Sequence, residues 1–272
     1  MKLRSLLYVP ADNARFVAKA AARGADAVIL DLEDSVLAPA KTAAREGLSE
    51  AVRQVAAQGA AVAVRINAGD IDDARAAVRA GAGWLLVPKV QGPATLSPLI
   101  DMLASEEAAA GRPETAVIAM IEDPGAMLDA RAIARVPRVR GLMAGGEDLA
   151  TAMHASPDPE VLRLPKLLVH YAAKAEGRLS FGLLRSVADY TDLPAISAAA
   201  QEARSFGFDG ATCVHPSAVP LLNRGFAPSR EEIEWARKVL AGPNGRGAYA
   251  VEGRMIDAPV LARARRILDE AR

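Results

Sequence analysis

Short apolar runs recur along the chain, and most of them end in charged or turn-forming residues. Because helices cover both faces of a parallel sheet, a buried parallel strand is a nearly continuous apolar run. Functional groups at the carboxyl ends of such strands are typical of an α/β enzyme with its site at one mouth of the sheet. By this criterion we predict eight strands: Ser5–Pro10, Asp26–Glu33, Ala61–Asn67, Trp84–Val90, Ala116–Asp123, Val139–Glu147, Leu179–Val187 and Gly210–His215.

Alanine-rich stretches of helical composition separate most of the predicted strands, and glycines stand where several of these helices should end. Eight strand–helix repeats with right-handed crossovers close most simply into a (β/α)8 TIM barrel. An open doubly wound sheet is the alternative, but no Gly-x-Gly-x-x-Gly follows the first strand. The predicted helices between strands are Phe16–Arg23, Lys41–Ala57, Ile71–Ala80, Ala94–Ala110, Ala126–Ile133, Pro165–Glu176 and Leu193–Phe206.

The repeat stops after the eighth strand, so we predict a catalytic barrel over residues 1–216 and a C-terminal helical extension over residues 217–272. The glycine-rich Ala241–Gly247 is a flexible connection, and the following Ala248–Ile256 is a candidate lid. The extension is too short for a core of its own, so we expect it to pack on the barrel or on a neighbouring subunit. Its predicted helices are Ser217–Asn223, Arg230–Leu240 and Val260–Ala271.

Composition excludes several classes of protein. The chain has 272 residues, of which 51% are hydrophobic, and this is ample for a full core. Its 33 basic and 33 acidic residues balance and only 4% are aromatic, so neither nucleic acid nor an anionic membrane is an expected partner. No apolar run is long enough to span a bilayer, and the N-terminus lacks signal-peptide features. The single cysteine, Cys213, suits a reducing compartment, so we predict a cytoplasmic protein.

Two carboxylates are the strongest candidates for chemistry. Glu122 and Asp148 each end a predicted strand, so both should point into the mouth of the barrel. Carboxylate oxygens suit Mg²⁺, which keeps several waters and leaves room for substrate oxygens. The alternative is that each residue caps the next helix or pairs with a nearby arginine. No zinc-type spacing competes among the three histidines, His154, His170 and His215.

Arg65 is the candidate cation at the predicted mouth of the barrel. Arg65 ends the third strand, where a fixed guanidinium can clamp a substrate carboxylate through two hydrogen bonds. It can also form ion pairs with the acid cluster of Asp31, Glu33 and Asp34, and one guanidinium can do both. We expect the acid cluster to support the site by orienting its neighbours.

Other polar residues have two interpretations each. Lys89 could form a Schiff base, but the surrounding carboxylates should keep it protonated and favour a structural or electrostatic role. His215 is either a base or a hydrogen-bonded core residue. Arg15 and Lys19 are four residues apart on one helix face, which either binds phosphates or is simply solvated.

A longer series of segments keeps one order along nearly the whole chain. The blocks Asp-Leu-Glu-Asp-Ser-Val at 31–36 and Gly-Glu-Asp-Leu at 146–149 are its most specific members. With them the series resembles the citrate lyase β-subunit-like branch of the HpcH/HpaI aldolase family. The other members are Leu3-Arg4-Ser5, Val9-Pro10, Asp26–Leu30, Lys41, Ala44-Arg45, Val64–Asn67, Pro88-Lys89, Ile121-Glu122, Gly207–Gly210, Val214–Pro216 and Met255–Pro259.

This resemblance implies a Mg²⁺-dependent carbon–carbon lyase that cleaves or forms a 3-hydroxyacyl thioester, such as citryl-, malyl- or citramalyl-CoA. The products would be an acyl thioester and a 2-oxo acid. By this likeness Glu122 and Asp148 are the metal ligands, Glu122 also contacts the substrate, and Arg65 holds the oxo-acid carboxylate.

The same resemblance implies that Asp257 is the catalytic acid or base and enters the site of an adjacent subunit. The protein would therefore be a homo-oligomer, a trimer or a hexamer. Arg15 and Lys19 match basic positions that contact coenzyme A phosphates.

Two departures from the family pattern leave the thioester carrier open. Ala211 stands where a lysine or arginine is common, and Leu184–Val187 replaces an Ile-Asp-x-Val block. The carrier is therefore coenzyme A or an acyl carrier protein, or the substrate is a free hydroxy acid. Alternative functions are an aldolase acting on free 2-oxo acids of the pyruvate or oxaloacetate type, a hydroxyacyl-CoA thioester hydrolase, and a metabolite-binding barrel without turnover.

Overall fold

All eight predicted strand segments contain parallel β-strands, and most strands are shorter than predicted because their polar ends belong to loops. The computed structural model describes residues 2–186, 190–242, 249–251 and 253–271. The strands are β1 (Ser5–Pro10), β2 (Ala27–Asp31), β3 (Ala61–Arg65), β4 (Trp84–Val87), β5 (Ala116–Ile121), β6 (Val139–Ala144), β7 (Leu179–Phe181) and β8 (Ala211–Cys213).

The sheet closes on itself, which confirms the predicted TIM barrel. Its strand order is β7-β6-β5-β4-β3-β2-β1-β8, and β7 meets the start of β8 through a parallel bridge between Phe181 and Gly210. The backbone N–H of Gly182 donates to the carbonyl of Gly210 at 2.9 Å. Only glycine fits at position 210, because a Cβ there would lie 1.9 Å from the carbonyl oxygen of Leu3.

Helices follow the strands, and aspartate side chains cap several of them. Asp70, Asp123 and Asp192 accept hydrogen bonds from backbone N–H groups at helix starts. The helices are α1 (Ala14–Ala20), α2 (Lys41–Glu46), α3 (Leu48–Ala56), α4 (Ile71–Ala80), α5 (Pro93–Ala110), α6 (Pro124–Leu128), α7 (Ala130–Ala134), α8 (Gly146–Ala152), α9 (Pro159–Ala175), α10 (Leu193–Phe206), α11 (Val219–Gly225), α12 (Arg230–Leu240) and α13 (Ala258–Ala271), with 3₁₀ turns at Ala21–Arg23, Ala38–Ala40 and Pro216–Ala218.

Alternation along the strands divides the core into two layers. Alternate residues fill the barrel interior, and their neighbours, such as Leu7, Val28 and Leu85, are buried on the other face of the sheet. Continuing the interior alternation by two residues places polar side chains at the mouth. The interior cluster consists of Leu3, Leu6, Ala27, Ile29, Ala63, Leu86, Ile118, Met120, Met143 and Phe181, with Tyr8, Ala61, Trp84 and Leu179 packed against it.

All predicted strands except the first end early, and the sixth and seventh show why. The sixth was expected over Val139–Glu147 but ends at Ala144, and α8 begins two residues later. The seventh was expected over Leu179–Val187 but ends at Phe181, and Val187 lies outside the described residues. In both cases a glycine follows the strand closely, and the polar residues beyond it leave the ladder.

The chain divides into two compact units, residues 1–223 and residues 224–272. The second unit contains α12, a hairpin of β9 (Tyr249–Val251) and β10 (Arg254–Ile256), and α13. Contrary to our expectation, it has a small apolar cluster of its own, made by Ala236, Val239, Ile256, Ala264 and Ile267.

The predicted domain division after residue 216 and the lid stay predictions, and most of Ala241–Gly247 lies outside the described residues. No helix in the described part of the chain is long and apolar enough to cross a membrane.

Candidate active site

Asp31 and Arg65 form a buried ion pair at the ends of β2 and β3. The strand register places them side by side, and both continue the interior alternation. Arg65 Nε and Nη2 donate to the two oxygens of Asp31, each at 2.6 Å. Burial alone would raise the pKa of Asp31, but the hydrogen bonds and the charge of Arg65, together with hydrogen bonds from Ser35 and the backbone of Glu33, hold that pKa below its usual value. The bidentate arrangement fixes the plane of the guanidinium.

The other guanidinium edge faces the rest of the acid cluster. Arg65 Nη1 lies 2.8 Å from Glu33 Oε2 and 2.9 Å from Asp34 Oδ2. Glu33 is buried, whereas the Asp34 side chain is 63% exposed. Burial raises the pKa of Glu33, although Lys89 and Arg65 oppose the shift. Arg65 is therefore bound to the acid cluster, and one of its partners, Asp34, lies at the surface.

Lys89 connects two strand ends through both its backbone and its side chain. Its ammonium donates to Glu33 Oε1 at 2.7 Å, and its backbone N–H donates to Glu122 Oε2 at 2.7 Å. A φ of 52° places Lys89 in the left-handed region, which is uncommon for residues other than glycine. The hydrogen bond to Glu33 raises the pKa of Lys89, so the side chain stays protonated. This agrees with an electrostatic role, because a Schiff base requires a neutral amine.

Glu122 is a buried carboxylate with little local compensation. It follows β5 and is only 6% exposed. Burial raises the pKa of Glu122 to about 7, and the charges of Asp148 and Glu33 add to the shift. The carboxylate lies against Gly145, where a Cβ would come within 2.5 Å of Glu122 Oε1.

Asp148 does not end a strand, and here the sequence prediction was wrong in detail. It lies in the first turn of α8, the helix that begins at Gly146, and its side chain is exposed. The backbone N–H of Gly145 donates to the carbonyl of Ile121 at 3.0 Å, so the start of α8 adjoins the end of β5. The two candidate ligands therefore come together, and the charge of Asp148 acts on both Glu122 and Lys89.

The donor set at this mouth suits a hard divalent cation. Carboxylates outnumber cations, and the most deeply buried acid without an arginine partner is Glu122. Among the described residues, no group of three or more His, Cys, Asp or Glu is arranged around one metal position. Two carboxylates completed by waters and substrate oxygens match the coordination that Mg²⁺ accepts. The charged groups of the site are Asp31, Glu33, Asp34, Arg65, Lys89, Glu122 and Asp148.

Tyr8 is a site residue that the sequence interpretation missed. The guanidinium carbon of Arg65 lies 4.9 Å from the centre of the Tyr8 ring, a cation–π contact. Burial raises the pKa of Tyr8, and Arg65 opposes that shift. Tyr8 continues the interior alternation of β1 after Leu6, so the period of two was the available signal.

The remaining candidates lie elsewhere. His215 is exposed and stacks on Tyr190 at 5.2 Å, rather than forming part of the core. Burial raises the pKa of Cys213 to about 12, so it is no activated thiolate. Arg15 and Lys19 carry exposed side chains on α1.

Asp257 belongs to the C-terminal unit. Its carboxylate accepts a hydrogen bond of 3.3 Å from the N–H of Val260, near the start of α13. Its predicted catalytic role, like the roles predicted for Arg15 and Lys19, stays a prediction.

A closed (β/α)8 barrel with buried acids and an arginine at the carboxyl ends of its strands defines an enzyme of the TIM-barrel class. A family model described as HpcH/HpaI aldolase/citrate lyase matches residues 4–216. The chain belongs to this family and is a carbon–carbon lyase.

Similarity to individual proteins extends over almost the whole chain. A citrate lyase subunit beta-like protein of Mycobacterium tuberculosis (strain ATCC 25618 / H37Rv) is 36% identical over 97% of this chain and 94% of its own length. A (3S)-malyl-CoA thioesterase of Cereibacter sphaeroides is 32% identical over 98% of this chain and 94% of its own. The crystal structure of protein CitE from M. tuberculosis in complex with magnesium, acetoacetate and coenzyme A matches with a TM-score of 0.78 and 33% identity, covering 98% of this chain and 97% of that one.

Proposed function

We propose that this lyase is Mg²⁺-dependent and cleaves or forms a 3-hydroxyacyl thioester of the citryl-, malyl- or citramalyl-CoA type. The products of cleavage are an acyl thioester and a 2-oxo acid. The observation that carries the proposal is a buried carboxylate with a raised pKa, Glu122, which lies near the carboxylate of Asp148 at the same mouth of the barrel as the guanidinium of Arg65. Such a site suits a divalent cation next to a substrate carboxylate.

Glu122 and Asp148 would hold Mg²⁺, and the similar crystal structure of CitE is a complex with magnesium, acetoacetate and coenzyme A. When bound, the ion supplies positive charge that stabilises the oxygen of the oxo acid as the carbon–carbon bond breaks. The carboxylate of Glu122 is held in this position before a metal binds, because the N–H of Lys89 and the backbone at Gly145 restrict it.

Arg65 would bind the carboxylate of the oxo acid through Nη1. Asp31 occupies Nε and part of Nη2, so it fixes the guanidinium and stays in place. Asp34 is the exposed partner on Nη1, and a substrate carboxylate of the same charge can replace it at small cost. The guanidinium then orients the oxo acid for bond cleavage.

The carbon that becomes the acyl methyl needs a proton during cleavage and loses one in the reverse reaction. By likeness to the family, Asp257 of an adjacent subunit supplies this acid or base, so the active enzyme is at least a dimer. Its partly exposed carboxylate in the C-terminal unit is consistent with a group that approaches a site from outside. Arg15 and Lys19 would contact the coenzyme A phosphates, and both are exposed as this role requires.

A second candidate function is hydrolysis of a hydroxyacyl thioester. The similarity to a (3S)-malyl-CoA thioesterase favours it, and the same metal ligands with Asp257 could activate water. The two functions differ in their products: hydrolysis leaves an intact hydroxy acid, whereas the lyase releases a 2-oxo acid. An aldolase on free 2-oxo acids would instead not turn over the thioester, and its activity would not depend on the charges of Arg15 and Lys19.

The deciding experiment incubates the enzyme with citryl-, malyl- and citramalyl-CoA, with Mg²⁺ or with EDTA, and identifies every product by mass spectrometry. We expect an oxo acid and an acyl-CoA in the Mg²⁺ sample alone. An intact hydroxy acid with free coenzyme A would assign the hydrolase instead. No turnover of any thioester, combined with Mg²⁺-dependent condensation of free oxo acids, would assign the aldolase.

A further inference from the structure

Lys166 is a buried cation outside the site described so far. It lies in the middle of α9 and is 6% exposed. Its ammonium donates to the backbone carbonyl of Leu183 at 2.9 Å and to that of Arg185 at 2.6 Å. The segment Leu183–Ser186 follows β7 on the way to α10, so one lysine holds two alternate carbonyls of this connection.

The same side chain packs under the first residue of α8. A Cβ on Gly146 would lie 3.3 Å from both Cε and Nζ of Lys166. A second link joins the two regions, because Ser186 Oγ hydrogen-bonds to Oε1 of Glu147 in the first turn of α8. The segment after β7 is therefore tied to the turn that carries Asp148.

Filling this space with a lysine costs free energy, because the ammonium group loses its hydration. Burial lowers the pKa of Lys166 to about 8, although the charge of Glu147 opposes the shift. A methionine of similar length would fill the same volume without desolvating a charge. What lysine alone supplies is the pair of charge-assisted hydrogen bonds to the Leu183–Ser186 backbone, and these are stronger than bonds between neutral groups.

We propose that Lys166 is a positioning residue that holds the Leu183–Ser186 segment against the first turn of α8 and so keeps Asp148 in place for the metal-dependent reaction. The tie between the two segments stands on geometry alone, whereas its effect on turnover rests on the proposed function. The two parts are therefore measured separately.

The test compares the wild type with Lys166→Met and with Lys166→Gln, which is shorter and keeps neutral donors. The matched control is Lys174→Met, the same chemical change on the same helix at an exposed lysine paired with Asp209. The first readout is the rate of trypsin cleavage after Arg185 in metal-free protein, followed by mass spectrometry. The second is the dissociation constant for Mg²⁺ alone, measured by titration calorimetry. Steady-state kinetics supply kcat and KM for the active thioester.

We expect Lys166→Met to accelerate cleavage after Arg185 about tenfold, because local opening exposes this site. We expect a Mg²⁺ dissociation constant raised about tenfold and a lower kcat, with the thioester KM changed less than about threefold. Lys166→Gln should give smaller shifts in the same direction, and Lys174→Met should give none.

If trypsin cleaves Lys166→Met after Arg185 at the wild-type rate, Lys166 does not hold the Leu183–Ser186 segment. Equal acceleration of cleavage at sites throughout the barrel would overturn the same claim. Faster cleavage after Arg185 with an unchanged dissociation constant for Mg²⁺ would overturn the claim that Lys166 keeps Asp148 in place. If Lys166→Met does not fold, Lys166→Gln decides the question by the same criteria. Failure of the wild type to turn over any thioester would count against the proposed function, and the cleavage and metal titrations would still decide the role of Lys166.

Discussion

The backbone N–H of Lys89 donates a hydrogen bond of 2.7 Å to the carboxylate of Glu122, so the end of β4 fixes the side chain that follows β5. The left-handed conformation of Lys89 directs its N–H and its ammonium to two different carboxylates. The site is therefore assembled by backbone geometry at neighbouring strand ends and needs little rearrangement to receive a cation.

Glu122→Gln should lower Mg²⁺-dependent turnover about a thousandfold, because it removes the buried member of the candidate ligand pair. The metal-free fold should stay intact or become more stable, since a desolvated carboxylate repelled by Asp148 is gone. Steady-state kinetics and thermal melting check both parts. Glu114→Gln, at an exposed glutamate, is the control. Normal activity in Glu122→Gln would exclude this carboxylate as a metal ligand.

Gly145→Ala should displace Glu122 without unfolding the barrel. The added methyl group would lie 2.5 Å from Oε1 and 2.6 Å from Cγ of Glu122, so the whole side chain must move, which costs less than moving backbone. We expect weaker Mg²⁺ binding by calorimetry, by about tenfold or more. The control is Gly92→Ala, where φ is 174° and no atom lies within 4 Å of the new Cβ. Equal Mg²⁺ affinity in the two variants would contradict the packing of Glu122 on Gly145.

Asp31→Asn should destabilise the protein by about 3 kcal/mol, because it leaves a buried arginine with reduced compensation. Asp34→Asn removes an exposed partner of the same arginine and should cost less than about 1 kcal/mol. Urea unfolding at neutral pH measures both. Similar losses of stability in the two variants would mean that Arg65 does not distinguish its buried and exposed partners.

Asp34→Asn should also lower the KM for the oxo acid in the condensation direction, by about threefold, because a competitor for Arg65 Nη1 loses its charge. The kcat should change less, since Asp34 is displaced before the chemical step. Initial rates at varied oxo-acid concentration provide the measurement. A raised KM would indicate that Asp34 supports the bound substrate rather than competing with it.

The contribution of His170 to the stability of the barrel should fall as the pH drops below about 6.5, whereas the raised pKa of Glu122 acts in the opposite direction. Burial, together with the charge of Lys174, lowers the pKa of His170, whose ring hydrogen-bonds to Ser180 at 3.0 Å. A pKa lower in the folded than in the unfolded state means that the unfolded chain takes up the proton first, so acid favours unfolding. The loss begins as the pH falls through the ordinary histidine pKa.

Urea midpoints at pH 7.5 and at pH 5.5 test this prediction. His170→Asn cannot titrate, so on going from pH 7.5 to pH 5.5 its midpoint should fall less, or rise more, than that of the wild type. His154→Asn is the control, because His154 is exposed with a φ of 54°, a conformation that asparagine tolerates. An unchanged shift in His170→Asn would assign the acid sensitivity to other groups.

Nearly continuous apolar runs with polar ends carried most of what the sequence could predict. They identified the eight strands and placed Arg65 and Glu122 at one mouth, where the structure shows that Asp31, Arg65 and Glu122 each continue an interior row. The period of two along β1 would also have identified Tyr8. The contact between Glu122 and Gly145 could not be derived in this way, because it depends on how closely two loops approach.

Helix boundaries were the harder part of the prediction. Gly145-Gly146 was assigned to the end of a strand, whereas Glu147 and Asp148 open α8, where acidic residues favour a helix start. Lys166 gave no signal, since a lysine in a helix is ordinarily solvated and only the fold buries it. The C-terminal cluster was missed because a hairpin and two helices together bury what none buries alone.

The short joint between β7 and β8 gives the barrel a preferred order of melting. Strands β2 to β6 form one continuous arc and carry Asp31, Arg65 and Glu122, whereas among the described residues β7 meets the start of β8 through the isolated bridge of Phe181 and Gly210. Partial unfolding should therefore start by parting this joint and leave the arc intact. A transiently opened molecule would keep its charged site assembled, and closing the ring would restore the enzyme without rebuilding that site.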